Sequence, residues 1–219
     1  MLISYFEEFP TKRNLSKLRN VDGGNVFVAA KSVQQYEKIK DQCRQYPVNI
    51  LHWKTLSKSM GYWFSPFMDT AVLRKELLTV NKDTMLDLEF PFHRWHILRY
   101  VPSFFVNRTL IAQSIQKHNM YFAVYGHVPL WLLRCLGLMY SGKAIIMCYR
   151  SRMPIFGKLW FKHKVRQASK HGLRVGVGLI APGVHGNERT YSQHQLAWDI
   201  AYCRQNGIKE VVVFRLAGM

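Results

Sequence analysis

Acidic residues are scarce in this sequence. Its 219 residues include 13 Asp and Glu against 31 Lys and Arg, which gives a formal net charge of +18. From Phe90 to Asn187 there is no acidic residue at all. This imbalance attracts anionic partners, namely nucleic acid, anionic membrane surfaces or phosphorylated ligands. A basic surface that serves only solubility is the alternative.

Long apolar runs and paired cysteines are also missing. No run of eighteen apolar residues is present, so no transmembrane segment is predicted. Residues 1–8 lack the basic and apolar regions of a signal peptide. The cysteines are scattered without a Cys-x-x-Cys pair, at Cys43, Cys135, Cys148 and Cys203. Reduced, mostly buried thiols fit this pattern better than disulfides or a structural zinc site, so we expect a cytoplasmic protein.

The sequence does contain a repeated strand-then-helix unit. Eight short segments rich in β-branched and aromatic residues alternate with helical patterns. They are Leu2–Phe6, Val26–Ala30, Val48–Trp53, Thr84–Pro91, Tyr121–Tyr125, Lys143–Tyr149, Leu173–Ile180 and Glu210–Phe214. The alternation predicts an α/β fold, a single (β/α)8 TIM-type barrel over residues 1–219. An open doubly wound sheet is the rival, but no glycine-rich phosphate fingerprint follows the first strand.

Two local expectations accompany this fold. Thr11, Ser32, Asp69 and Asn107 each precede a helical pattern and can cap its first turn. The aromatic and basic segment before Asn107 has no assigned structure. Because the chain stops at Met219, directly after the eighth strand, the barrel is expected to lack its final helix.

Acidic residues gather where a barrel enzyme would place its active site. Barrel sites lie at the carboxyl ends of the strands, and five of the 13 acids fall there. They are Glu7, Glu8, Asp87, Glu89 and Glu188. A carboxyl group near a second acid in a partly dry site has a raised pKa and can act as a general acid. Glycoside hydrolysis uses such an acid.

Asp87 and Glu89 are the favoured catalytic pair. Side chains alternate along a strand, so these two share one face at a spacing of roughly 6.5 Å. Glu7 or Glu8 is expected to support the pair. In the alternative interpretation, Asp87 forms an internal salt bridge with Arg215 or Lys31, and Glu89 is merely exposed.

Asp87-Leu88-Glu89 and Met147-Cys148-Tyr149 resemble two motifs of the chitinase-like (β/α)8-barrel glycoside hydrolases. The resemblance implies that Glu89 is the acid, that Asp87 is its partner and that the Tyr149 hydroxyl steadies a substrate acetamido group. The chain departs from the family pattern at three positions. Met85 and Lys82 replace earlier aspartates of the first motif, and Arg150 replaces the Asp after the second.

Other residues at the strand ends are expected to bind substrate. They are Lys31, Trp53, Tyr125, His127, Arg150, His185, Glu188 and Arg215. Together with Tyr62 and Trp63, the aromatic residues offer faces to sugar rings. The expected ligand is therefore a carbohydrate or a phosphorylated small molecule, with no cofactor and no metal.

Three alternatives stay open. His127 and His185, with basic neighbours, could cleave a phosphodiester, or could join Asp87 and Glu89 in a metal site. The glycines of the loop 183–188 would let backbone approach a phosphate. A non-catalytic barrel could instead bind nucleic acid or an anionic membrane through the basic helix Pro154–Lys170.

Overall fold

The protein is a closed barrel of eight parallel strands. The computed structural model describes residues 1–57, 60, 62–89, 94–135, 143–150, 156–182 and 190–219. The strands pair in chain order and β8 closes onto β1. They are β1 (Leu2–Glu7), β2 (Asn25–Ala30), β3 (Asn49–Lys54), β4 (Thr84–Leu88), β5 (Tyr121–Tyr125), β6 (Lys143–Met147), β7 (Arg174–Gly178) and β8 (Glu210–Phe214). The predicted (β/α)8 fold is confirmed.

Helices alternate with these strands along the chain. They are α1 (Lys12–Leu15), α2 (Val33–Gln42), α3 (Thr70–Leu77), α4 (Arg94–His118), α5 (Leu130–Cys135), α6 (Gly157–Lys170) and α7 (Gln193–Gln205). Thr11, Ser32 and Asp69 cap α1, α2 and α3 through their side-chain oxygens, as predicted. Within the described ranges, no helix combines the length and the apolar character needed to cross a membrane.

The predicted cap at Asn107 is wrong, because this residue lies inside α4 and is fully buried. Its side-chain amide donates to the carbonyl oxygens of Pro66 and Met68, at 3.0 and 2.7 Å. Its amide oxygen accepts a 2.8 Å hydrogen bond from Thr70. Asn107 therefore ties α4 to the loop that enters α3, and α4 starts 13 residues earlier in the chain, at Arg94.

Alternate residues of each strand fill the barrel interior. The inward side chains of the middle layer are apolar and almost completely buried. They include Phe27, Leu51, Met85, Ile145 and Val212. The intervening residues face the helices, which gives near-continuous apolar strands such as Val211–Val213, typical of parallel sheets covered on the outside.

A polar network closes the amino-terminal end of this interior. Glu210 accepts hydrogen bonds from Ser4 (2.7 Å) and Asn25 (2.8 Å) on one oxygen. Its second oxygen forms a 2.6 Å ion pair with Arg174 and accepts a longer hydrogen bond from Tyr121. We call these five residues the amino-terminal network. Each carboxylate oxygen of Glu210 has donors, so its buried charge is compensated.

A 3-10 helix, Leu216–Gly218, follows β8. Leu216 is fully buried in one apolar cluster with Leu15 and Leu18. Lys17 donates to the carbonyl oxygens of Ala217 and Met219. The residues after β8 thus pack beside α1 as a 3-10 helix. The sequence predicts that no closing α-helix follows this strand.

Candidate active site

Aromatic rings form a floor at the carboxyl-terminal end of the barrel interior. Phe6, Trp53 and Phe214 pack with ring centroids 5.3–6.3 Å apart. Tyr149 adds a ring 5.7 Å from Phe214. All four side chains are buried. Gly178 occupies the inward position at the end of β7, where a Cβ would lie 2.3 Å from the carbonyl oxygen of Phe214.

Three carboxyl groups lie above this floor. Asp87 extends from β4 on the same side as Met85, and Glu89 follows it by two residues, so both face the barrel axis. Glu8 extends past β1 on the side of Phe6. We call Glu8, Asp87 and Glu89 the acid cluster. It combines the ends of two strands separated by two others in the barrel.

The pKa of Asp87 is raised within the acid cluster. Burial raises the pKa of Asp87 well above its ordinary value, and the negative charges of Glu89 and Glu8 raise it further. Asp87 and Glu8 are 4% and 5% exposed, whereas Glu89 is half-buried. Asp87 therefore favours its protonated form, and Glu89 is the member of the pair that a ligand can reach.

The loop after β3 completes the cluster with Tyr62. Phe64 pairs with the end of β4, donating from its N–H to Asp87 O and accepting from Glu89 N–H, both at 3.0 Å. This bridge holds the loop against the acids, and the Tyr62 side chain hydrogen-bonds to Glu8. Burial, followed by the charges of Glu8 and Asp87, raises the pKa of the Tyr62 phenol.

Sequence reasoning identified Tyr62 only as an aromatic face for sugar rings. Its contact with Glu8 joins residues 54 positions apart, so no local spacing predicts it. The density of aromatic residues in the loop was the available signal. The backbone of Tyr62 is left-handed, with φ 66°, an uncommon conformation for a residue other than glycine.

Glu7 lies on the opposite side of β1 from Glu8. Its carboxylate accepts hydrogen bonds from the backbone N–H groups of Phe9 (2.8 Å) and Ala217 (2.9 Å) and from the Asn14 side chain (3.1 Å). Arg215 forms an ion pair with it at 3.2 Å. Glu7 thus joins β1 to α1 and to the residues after β8, outside the barrel interior.

The two arginines predicted to bind substrate also contact other parts of the molecule. Arg215 contacts Glu7 and donates to the carbonyl of Pro182 at 2.8 Å. Arg150 forms a 2.8 Å ion pair with Asp199 of α7. Burial raises the pKa of Asp199 to about 7, although Arg150 lowers it. Neither arginine pairs with Asp87.

The remaining predicted residues are dispersed around the mouth of the barrel. Tyr125 is half-buried beside the interior cluster, with its ring 4.8 Å from that of His127. His127 in turn stacks on Trp160 of α6 at 4.8 Å. The side chain of Lys31 is exposed.

His185 and Glu188 lie outside the described residues, as does the glycine-containing loop that carries them. The alternative metal site depends on His185. Among the residues that are described, no group of three or more His, Cys, Asp or Glu could hold a metal ion.

Comparisons with known proteins bear on the fold. No family model and no curated protein sequence matches the chain. Among solved structures, the chain is similar to the PgaB (BpsB) glycoside hydrolase domain from Bordetella bronchiseptica, with a TM-score of 0.58. The match covers 97% of this chain and 93% of that one, at 8% sequence identity. An identity this low establishes the shared barrel fold alone.

Proposed function

We propose that the protein is a glycoside hydrolase in which Glu89 is the general acid and Asp87 is its partner. The observation that carries this proposal is the acid cluster, in which three carboxyl groups meet at the end of a (β/α)8 barrel where active sites lie. The similarity in fold to the PgaB (BpsB) glycoside hydrolase domain supports it, as do the two chitinase-like motifs.

The proposed chemistry starts with the proton that the cluster retains. Asp87 shares a proton with Glu89, because burial and the charges of Glu89 and Glu8 raise the pKa of Asp87 and disfavour the ionisation of both carboxyls at once. Glu89 donates this proton to the glycosidic oxygen while the bond from that oxygen to the sugar C1 breaks. Charge on Asp87 and Glu8 stabilises the positive charge that develops on the ring.

Water completes the reaction. Its oxygen bonds to C1, either directly or after an acetamido oxygen of the substrate has occupied that position, and its proton returns to Glu89. Tyr149 and Trp53 belong to the buried floor beneath the acids, and Tyr62 holds Glu8 in place through its hydrogen bond. Lys31, Tyr125 and His127 are left as contacts for more distant parts of the substrate.

Glu7, Arg150 and Arg215 have no catalytic role in this proposal. The oxygens of Glu7 are engaged outside the barrel interior. A phosphodiester mechanism needs cations beside the reacting phosphate, and both arginines contact acids away from the acid cluster. The glycosidase mechanism therefore agrees better with the positions of the charges.

A cytoplasmic location is part of the proposal. Cys43, Cys148 and Cys203 are free and buried, and burial raises the pKa of each thiol. Thiols of this kind are inert and are typical of proteins that fold in a reducing compartment.

Turnover by the wild type and a Glu89→Gln variant tests the proposal. A panel of aryl glycosides, including N-acetylated sugars, is assayed beside a panel of aryl phosphodiesters. We expect cleavage of a glycoside and a loss of kcat of about 10²–10⁴-fold in Glu89→Gln, the usual contribution of a general acid. Glu37→Gln, an exposed acid on α2, is the matched control and should retain full activity. Phosphodiester cleavage that survives Glu89→Gln would refute the proposal.

A further inference from the structure

Large apolar side chains are exposed on three consecutive helices of the barrel. Phe105 of α4 is 65% exposed and Trp131 of α5 is 66% exposed. Phe156, directly before α6, and Leu159 of α6 are 73% and 65% exposed. Single exposed apolar residues are ordinary, but a group on neighbouring elements indicates an interaction surface.

Basic residues line α6, the helix that carries Leu159 and directly follows Phe156. Lys158, Lys162, Arg166 and Lys170 recur at every fourth position, so they form one stripe with a charge about every 6 Å. The sequence has no acidic residue from Phe90 to Asn187, so no charge of opposite sign on this part of the chain balances the stripe. The surface is therefore both apolar and strongly positive.

Contacts between α5 and α6 hold the two helices as one surface. Arg134 of α5 hydrogen-bonds to His171, which caps the end of α6, at 2.8 Å. Lys164 of α6 donates to the carbonyl of Val128, just before α5, at 3.0 Å. These two hydrogen bonds connect α6 to α5 and to the residues just before α5.

We propose that this surface docks on an anionic lipid bilayer. We call it the α4–α6 face, defined by Phe105, Trp131, Phe156 and Leu159 with the basic stripe of α6. Bases attract the lipid head groups, and each contributes about a fivefold increase in affinity. The exposed rings and Leu159 enter the boundary between head groups and acyl chains, as in interfacial helices.

Nucleic acid is the less suitable partner for two structural reasons. Proteins that bind single strands stack bases on accessible aromatic rings beside their basic groups. The rings of α7 next to the basic stripe are covered, Trp198 by the ammonium group of Lys158 at 4.6 Å, and the exposed rings of Phe105 and Trp131 lie on other helices. Tyr202 is similarly covered by Lys162, at 5.7 Å. In addition, Leu159 has no ring on which a base could stack.

Docking would place the mouth of the barrel close to the bilayer. In a (β/α)8 barrel each helix begins at the carboxyl end of the preceding strand. Trp131, Phe156 and Leu159 lie at or near the starts of α5 and α6, hence at the same end as the acid cluster. The docking itself does not depend on the proposed hydrolase activity.

Vesicle flotation with the full chain tests the surface. Binding is measured to phosphatidylcholine vesicles and to vesicles in which a third of the lipid is phosphatidylserine. We expect binding to the anionic vesicles that falls as salt is raised, with little binding to the neutral ones. An Arg166→Gln, Lys170→Gln variant should lose about twenty-five-fold in affinity, since two charges of the stripe are removed. Leu159→Ser should lose about tenfold.

Matched controls distinguish binding through the α4–α6 face from the effects of net charge and of exposed apolar residues elsewhere. Lys12, Lys38 and Lys75 are exposed bases in the acid-containing half, and their triple Gln variant should lose far less than the α6 variant. Leu78 is 85% exposed at the end of α3, and Leu78→Ser should bind as the wild type does.

Two results would overturn the proposal. One is the absence of binding to anionic vesicles at low salt with the fold intact by circular dichroism. The other is tighter binding to single-stranded RNA than to vesicles, with Leu159→Ser neutral for both, which would identify a nucleic-acid face. Glycoside turnover on soluble substrates is measured in parallel, so a failure of docking and a failure of the proposed activity remain distinguishable.

Discussion

The two ends of the barrel interior handle buried carboxylates in opposite ways. At the amino-terminal end, Glu210 is surrounded by donors and paired with Arg174. At the carboxyl-terminal end, the charges that act on Asp87 are those of two further acids, Glu8 and Glu89, and both oppose its ionisation. The carboxylate at the amino-terminal end is therefore compensated and stabilises the fold. The acids at the carboxyl-terminal end repel one another and destabilise it. Strongly perturbed acids grouped in this way are typical of functional sites.

The largest effect on folding is expected from removing the charge of Glu210. Glu210→Gln leaves Arg174, whose side chain is 24% exposed, without its carboxylate, and it replaces an acceptor oxygen by a donor. Because the pair is mostly buried, the free energy of unfolding should fall by about 3 kcal/mol. Urea unfolding measures this loss, and turnover of the folded fraction should not change.

An exposed ion pair provides the control for this loss. Arg44 and Asp41 pair at 2.9 Å with side chains 79% and 56% exposed, so Arg44→Gln should leave the unfolding curve in place. If Glu210→Gln also leaves the free energy of unfolding unchanged, the amino-terminal network is not a source of stability and the contrast between the two ends fails.

Removing the Tyr62 hydroxyl should have a smaller effect, confined to the acid cluster. Tyr62→Phe keeps the ring but removes its hydrogen bond to Glu8. A hydrogen bond to a charged group contributes about 1.5–3 kcal/mol, so kcat/KM should fall roughly tenfold or more. Ionised Glu8 also loses a donor, so the pH at which activity rises should move upward. This shift in the pH profile separates positioning from a merely structural role.

Tyr46→Phe is the comparison for this prediction. Tyr46 packs against the cluster beneath α1 and α2, and its substitution should leave the pH profile unchanged. An unaltered profile in Tyr62→Phe would mean that Glu8 does not take part in the proposed reaction.

The sequence predicted the fold well because strand signals are local. The β5 and β8 segments, Tyr121–Tyr125 and Glu210–Phe214, have the predicted bounds, since each consists mostly of β-branched or aromatic residues and lies between turns. Asn107 shows the limit of such signals. A capping Asn and a buried Asn that binds three distant groups look alike in sequence, and Pro102 within α4 favours a helix boundary there.

The candidate site was only partly predictable, because the direction of a side chain changes with every residue. Glu7 and Glu8 are neighbours, yet one faces α1 and the other faces the barrel axis. When a strand end is predicted only to within one residue, the sequence does not show which of the two side chains faces the barrel axis. Arg150 and Arg215 were assigned to the rim by the same rule, and their partners Asp199 and Glu7 were not foreseeable from local spacing.

The smallest expected effect is a change in how stability depends on pH when Asp87 is neutralised. The pKa of Asp87 is raised in the folded protein, while in the unfolded chain it ionises near pH 4. Below that pH both states are protonated and Asp87 contributes nothing. As the pH rises above it, the unfolded chain releases a proton that the folded protein retains, so the free energy of unfolding falls. Asp87→Asn removes this loss.

The Asn variant should therefore match the wild type near pH 4 and exceed it at neutral pH, by roughly 1 kcal/mol, as is common for stabilising substitutions at functional sites. Urea unfolding across this pH range measures the divergence of the two curves. Asp41→Asn, at a 56% exposed side chain, should give a curve parallel to that of the wild type. Parallel behaviour of Asp87→Asn as well would show that the carboxyl-terminal end carries no electrostatic cost. A gain in stability accompanied by loss of turnover would instead show that the acids are retained for chemistry, at the expense of folding.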